Sequence, residues 1–302
     1  MAPEYPHTLK EIRHHIKHGC LIALAGIVGC GKTRVLRHVH SLLSKEKDIL
    51  VSQSLSVEKN RLNLGTLISA LFCDLRRSKN EKIPSQPEQR ERELRDLIKN
   101  KKKPVVLFVD EAHDLHGKTL IALKRLIEVI QGAGGTLSIV LAGHPKLSND
   151  LKRPTMEEIG ARATIFMLEG VQKNKPEYIQ WLFKQCFEGK TKTDTIIQPE
   201  ALNYLADHLS TPLQINQYLG IALAESYRVG IQPITAERIT SVLAVDLNSP
   251  EAQLIRQGYD IRALAEVLDI KASEVRNFIK GNLPATQRDE LMTQLQSQGI
   301  SL

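Results

Sequence analysis

The stretch Gly26-Ile27-Val28-Gly29-Cys30-Gly31-Lys32-Thr33 spaces two glycines, a lysine and a hydroxyl as G-x-x-x-x-G-K-T, the spacing of a phosphate-binding loop. An apolar run, Leu21-Ile22-Ala23-Leu24-Ala25, leads into it, and residues 34–43 leave it with apolar side chains at helical intervals. The run predicts a buried strand and the exit a helix. Glycines let the backbone curl until several N–H groups converge on one centre, and the N-terminus of the following helix adds its positive dipole end. This predicts a nucleotide held by Gly26, Ile27, Val28, Gly29, Cys30, Gly31, Lys32, Thr33 and Arg34. Lys32 would reach the β- and γ-phosphates, and the Thr33 hydroxyl would be a ligand to Mg²⁺.

A strand of this kind needs a sheet around it. Residues 48–52, 104–109, 137–142 and 165–168 read as further strands, with helical patterns near 62–77, 88–103 and 118–131 between them. Alternation of buried strands with helices argues a parallel α/β sheet in three layers. Ligands then bind at the C-terminal strand ends. The strand at 104–109 ends in Asp110-Glu111. Asp110 stands where a second Mg²⁺-associated group belongs, and Glu111 where a side chain could orient and polarise the attacking water. Phosphate loop and acidic pair together read as hydrolysis of a nucleoside triphosphate, with ATP and Mg²⁺ as the expected cofactors.

After Gly170 the pattern turns wholly helical, with candidates at 176–187, 199–209, 212–228 and 235–244. Asn248-Ser249-Pro250 reads as a linker. Beyond it, residues 261–268 and 273–280 make two short helices around a turn, the second started by Ser273 and stopped by Gly281. Leu264, Ala265, Leu268, Ile270, Val275, Phe278 and Ile279 would be their core. The pair has the form of a helix-turn-helix, with Lys271, Arg276, Asn277 and Lys280 free to face DNA. A helical module that docks on protein is the other reading. The expected domains are 1–170, 171–247 and 251–302.

The net charge of +7 permits contact with nucleic acid. Aromatic residues make up only 4%, which argues against a base-stacking platform for single strands. Cys20, Cys30, Cys73 and Cys186 form no C-x-x-C pair, as expected of a reduced, cytoplasmic protein. No apolar run is long enough to span a membrane. His14 and His18 stand four apart on a predicted helix, without a carboxylate or thiol to complete a ligand set.

The order of three pieces narrows the comparison. The phosphate loop, then Asp110-Glu111-Ala112-His113-Asp114-Leu115, then Leu141-Ala142-Gly143-His144-Pro145-Lys146-Leu147 resembles the AAA+ ATPases of the ExeA/TniB group, which includes transposition regulators of the TnsC and Mu B type. Ser210-Thr211-Pro212-Leu213-Gln214-Ile215-Asn216-Gln217-Tyr218-Leu219 resembles that group's lid signature, so the similarity covers about residues 5–247. The resemblance implies a P-loop AAA+ three-layer parallel sheet and a small all-helical lid; the C-terminal helix-turn-helix-like module rests on its own residues, outside the resemblance. The resemblance places His144 as the polar sensor. It offers Arg162 as the arginine supplied to a neighbouring subunit, with Arg153 in reserve. It also implies a homo-oligomer, ring or helical filament, assembled on duplex DNA and serving a transposase. The DNA-contacting loops of such proteins match Lys59 and Arg61, then Arg77 and Lys79, with Arg76 and Lys82 beside them. These contacts would be to phosphates.

One departure matters. Relatives carry a Pro-Arg pair in the lid, and here Pro212 is followed by Leu213 and Gln214. Slow turnover, or an ATP-binding scaffold, would suit that change. An ExeA-like ATPase assisting assembly of a secretion complex is a further alternative. The letters Asp110-Glu111-Ala112-His113 also spell a helicase motif, but a helicase needs a second sheet domain, and the chain after residue 170 reads as helical.

Overall fold

The computed structural model describes residues 5–54, 63–76, 82–171, 175–186, 193–243 and 247–302. They divide into two compact units, one containing the chain up to Gly26 and Lys32–Leu168, the other Ile27–Gly31 and Glu169–Leu302.

In the first unit the elements run α1 (Tyr5–Ile16), β1 (Leu21–Gly26), α2 (Lys32–Leu43), β2 (Leu50–Gln53), α3 (Leu64–Leu75), α4 (Pro87–Lys101), β3 (Val105–Val109), α5 (Gly117–Gly132), β4 (Leu137–Gly143), α6 (Pro145–Lys152), α7 (Glu157–Gly160) and β5 (Ala163–Leu168). The strands form one parallel sheet in the order β2-β3-β4-β1-β5. Residues of β1, β3 and β4 are buried on both faces, as a parallel sheet requires. Leu21, Ala23, Val105, Leu107, Val109, Leu137, Ile139 and Leu141 pack with the apolar sides of α3, α4, α5 and α6. The alternate residues Ile22, Leu24, Val106, Phe108 and Val140 are buried as well. On that side the His40 ring of α2 lies 5.7 Å from the Phe108 ring. The expected three-layer parallel arrangement is therefore present. Buried Ser138 fastens α1 to β4, donating to the Ile16 carbonyl at 2.7 Å and accepting the Cys20 N–H at 3.1 Å.

Sheet order decides where the loops meet. β4 lies between β1 and β3, with Ala25 opposite Gly143 and Leu141 opposite Val109. The segments following β1, β4 and β3 thus leave the same edge side by side, although more than a hundred residues separate the first from the last of them in sequence. The sequence reading missed α6, whose eight residues begin with Pro145 directly after His144.

The second unit contains α8 (Lys175–Cys186), α9 (Pro199–His208), α10 (Pro212–Val229), α11 (Ala236–Val242), α12 (Pro250–Gln257), α13 (Ile261–Leu268), α14 (Ala272–Ile279) and α15 (Ala285–Ser297). Its apolar side chains gather in two clusters. One joins Ile179, Phe183, Leu202, Leu205, Ile215, Leu219 and Ile239. The other joins Leu254, Tyr259, Leu264, Leu268, Val275, Phe278, Leu295 and Ile300. Thr211 caps α10, accepting the Gln214 N–H, while Gln214 Oε1 accepts the Thr211 N–H in return.

One sequence expectation is corrected here, and two helices unread in the sequence are added. Ser249 and Pro250, read as part of a linker, also open α12: Ser249 Oγ accepts the Ala252 N–H and Pro250 takes the first helical position. Helix α14 begins at Ala272, not at a cap on Ser273, because the Glu274 carboxylate accepts the Lys271 N–H at 3.2 Å and closes the first turn one residue earlier. The helix α15, unread in the sequence, supplies Leu295 to the small core.

Candidate nucleotide site

At the end of β1, Gly26 passes into the glycine loop, and α2 opens at Lys32. Gly29 and Gly31 have φ of 82° and 106°, left-handed conformations that side chains resist and the curled loop requires. Lys32 is buried at 6% exposure, and its Nζ donates to the Gly26 carbonyl at 2.8 Å. Thr33 Oγ1 donates to Asp110 Oδ2 at 2.8 Å. Asp110 Oδ1 accepts the Glu111 N–H at 3.0 Å. The hydroxyl after β1 and the carboxylate after β3 thus meet across the end of β4. Two oxygens so placed, beside a lysine at a helix N-terminus, fit a hard divalent cation with a phosphate. Arg34 is exposed on α2.

Glu111 adopts a left-handed backbone, φ 53° and ψ 34°, at the entry to the 3₁₀ turn Ala112–Asp114. Its Oε2 lies 3.4 Å from His113 Nδ1 and 3.9 Å from His144 Nε2. The two imidazoles stack, centroids 3.6 Å apart and planes 16° from parallel. At Gly143 the backbones approach closely, since a Cβ there would stand 3.0 Å from the His113 backbone nitrogen. The structure therefore brings together Lys32, Thr33, Asp110, Glu111 and His144. It adds His113, which the sequence presented only as a letter of the acidic motif.

Arg162 lies apart from this group, in the turn before β5, with a side chain 64% exposed. Its guanidinium is bonded to Glu128 of α5. Lys124, one turn earlier on α5, is bonded to Glu158 of α7 and lies 3.2 Å from Glu128. Lys124 holds the Glu158 carboxyl below the ordinary range, and Glu158 in turn holds the Lys124 ammonium above its own. Arg153 is engaged by Asp150 at 3.3 Å.

Within the second unit, the segment Ile27–Gly31 has its own partners. The Val28 N–H donates to the Arg256 carbonyl at 3.0 Å, and the Leu213 N–H to the Gly29 carbonyl at 3.3 Å. A Cβ on Gly29 would stand 2.7 Å from Leu213 Cβ. Cys30 is fully buried. Sequence reasoning did not find Arg256. Burial lowers its pKa, and its guanidinium bonds the Ala252 and Leu247 carbonyls.

Of the expected DNA contacts, Lys59, Arg61, Arg77 and Lys79 lie outside the described residues. Lys82 is exposed. Arg76 is not a free cation: its guanidinium covers the Phe72 ring at 4.3 Å and pairs with Glu93 at 3.2 Å. In the C-terminal cluster, Lys271, Arg276, Asn277 and Lys280 are all exposed.

Residues 14–151 match the family model described as an AAA domain. This segment of the chain is similar to AAA domains. It spans β1 to α6 and contains every member of the strand-end group. The whole chain also resembles solved structures that carry AAA-type folds. One is Cdc6p from Pyrobaculum aerophilum, at 15% identity and a TM-score of 0.57, covering 99% of this chain and 87% of that one. Another is the Thermotoga maritima RuvB Holliday junction branch migration motor, at 18% identity and a TM-score of 0.50, covering 91% and 84%. These likenesses establish the fold. No curated protein matches the sequence. Among the described residues no helix is long and apolar enough to cross a membrane.

Proposed function

We propose that the protein is an ATPase that assembles on duplex DNA and presents target DNA to a transposase. The observation that carries the ATPase reading is the 2.8 Å contact between Thr33 and Asp110, with Lys32 and Glu111 on either side of it. Thr33 and Asp110 would hold Mg²⁺, and Lys32 would leave the Gly26 carbonyl to bond phosphate oxygens. Bound Mg²⁺ would offset negative charge on those oxygens. Glu111 would orient the water and take its proton, and His144 would donate to the departing phosphate. A neighbouring subunit's arginine, matching Arg162, would neutralise charge in the transition state.

Three things support the DNA part: the net charge of +7, the exposed Lys271, Arg276, Asn277 and Lys280, and the similarity to the RuvB motor, which acts at Holliday junctions. Transposition follows the sequence resemblance to the ExeA/TniB group, and a cytoplasmic location the reduced thiols. A scaffold with slow turnover is the second reading, favoured by Leu213 at the lid position where relatives carry arginine.

The test is ATP hydrolysis by the purified chain with and without duplex DNA, alongside electron microscopy with ATP and Mg²⁺. We expect DNA-stimulated turnover and rings or filaments on the duplex. Glu111→Gln should lower kcat by roughly 10²–10⁴-fold while nucleotide binding persists and assemblies accumulate. Turnover unaffected by Glu111→Gln, or no assembly on DNA, would remove the corresponding half of the reading.

A further inference from the structure

We infer that His113 is a positioning residue, through which the sensor His144 and the water-activating Glu111 are set as one unit; the inference rests on reading the site as an ATPase. Two parts of Glu111 are held differently. Its backbone is fixed on both sides: the N–H donates to Asp110 Oδ1 at 3.0 Å, and the carbonyl accepts the Asp114 N–H at 3.2 Å. These bonds keep it at a φ of 53°, a conformation that side chains resist and functional turns retain. Its carboxylate, by contrast, is 45% exposed, and the imidazoles of His113 and His144 stand closest to it on the protein side. A half-exposed glutamate has several staggered rotamers open to it, so a fixed neighbour is needed to select one.

His113 is that neighbour. Its side chain is 7% exposed and lies between two acids, with Nδ1 3.4 Å from Glu111 Oε2 and Nε2 3.7 Å from Asp114 Oδ1. His144 lies flat on the same ring, centroids 3.6 Å apart and planes 16° from parallel. Each ring N–H lies in its own plane, so two rings stacked this way cannot both aim an N–H at one oxygen. The nearer ring, His113, takes Glu111. Its 3.4 Å distance is about 0.2 Å beyond the usual N–H···O range, and a small turn of the exposed carboxylate closes it. His144 Nε2, 3.9 Å from that oxygen, is left to a phosphate oxygen.

One imidazole therefore serves two partners. Its edge orients the acid, and its face orients the sensor. A shift of the His144 ring toward bound phosphate moves the ring it lies on, and the Glu111 carboxylate with it.

The experiment reads kcat, ATP affinity and histidine ring NMR signals on the full-length chain. His113→Ala should lower kcat by roughly 10²-fold, the cost of a misplacement of about 1 Å, with ATP affinity unchanged. His113→Phe keeps a ring for His144 to lie on but has no nitrogen for Glu111. It should fall between the parent and His113→Ala, and it keeps the test informative if the alanine variant misfolds. His113→Ala combined with His144→Ala should be about as slow as the slower of the two alone, because residues that act as a unit are not additive. An ATP affinity that falls as far as kcat would make His113 merely structural. A His113→Phe chain matching either the parent or His113→Ala, or a double variant slowed by the product of the single losses, would break the unit. In the nucleotide-free chain, Glu111→Gln should shift the ring signals of His113 and His144 and leave those of His14 and His18 on α1 in place. Unmoved His113 signals overturn the inference whatever the turnover. Shifted His113 signals in a parent chain that hydrolyses no ATP remove the ATPase reading and leave the three-residue unit standing.

Discussion

Two regions of the sheet unit hold charged groups in opposite ways. At the strand ends, Lys32, Thr33, Asp110, Glu111, His113 and His144 are fixed by the backbone: β4 separates β1 from β3, and each side chain leaves a strand end, a helix start or, for His113, the 3₁₀ turn that follows β3. On the rim, Lys124, Glu128, Glu158 and Arg162 are fixed mainly by one another, with Glu158 78% and Arg162 64% exposed. The first arrangement is preorganised, as groups that must meet a developing charge need to be. The second is a set of exchangeable ion pairs. In the proposed assembly a negatively charged group of a neighbouring subunit would take the place of Glu128 at the exposed Arg162. The difference teaches that half of the proposed chemistry is rigid in one chain and half is held ready at its edge.

The largest effect should come from the rim. Arg162→Ala is expected to lower turnover of assembled protein by roughly 10³–10⁵-fold with ATP affinity of the isolated chain unchanged. Calorimetric titration of ATP alongside steady-state rates checks both. A loss of ATP affinity equal to the loss of rate would erase the contrast, because Arg162 would then serve its own subunit's site.

A smaller effect separates backbone from charge on the same rim. A Cβ on Gly160 would stand 2.1 Å from the Leu151 carbonyl oxygen. Gly160→Ala should therefore force the turn carrying Glu158 and Arg162 away from α6 and destabilise the fold by about 1–3 kcal/mol. Thermal denaturation reads this as a Tm lowered by several degrees, and an unchanged Tm would mean the turn yields freely.

The smallest effect is electrostatic. Lys124 holds the Glu158 carboxyl below its ordinary value, so the stability this gives is present above the unfolded carboxylate range, near pH 4. It is lost as pH falls through the lower folded value. The stability difference between the parent chain and Glu158→Gln should be constant at neutral pH and shrink under acid. A difference that grows toward low pH would contradict the pairing.

How much of this could be read beforehand follows the same division. Lys32, Thr33, Asp110 and Glu111 were legible because each lies beside an apolar run whose pattern fixes a strand end. The sheet was legible for the same reason. His144 was placed only through a family resemblance. The stacking of His113 on His144 was not legible, since it depends on β3 pairing with β4 in one register. The Glu128 partner of Arg162 lies 34 residues away and has no pattern to announce it. Helices α12 and α15 escaped for another reason: α15 is polar almost throughout and buries only Leu295. Arg76 was read as a surface cation because nothing local reveals that Phe72 and Glu93 both cover it.

The central claim is that the site is completed between subunits, with Glu111 from one chain and Arg162 from the next. The most direct measurement is ATP turnover by a mixture of Glu111→Gln and Arg162→Ala proteins on duplex DNA. Each variant alone should be nearly inactive. In mixed assemblies some sites pair an intact Glu111 with an intact Arg162, so the mixture should hydrolyse ATP well above the sum of its parts. A mixture no more active than that sum, under conditions where the two variants demonstrably assemble together, would contradict the account.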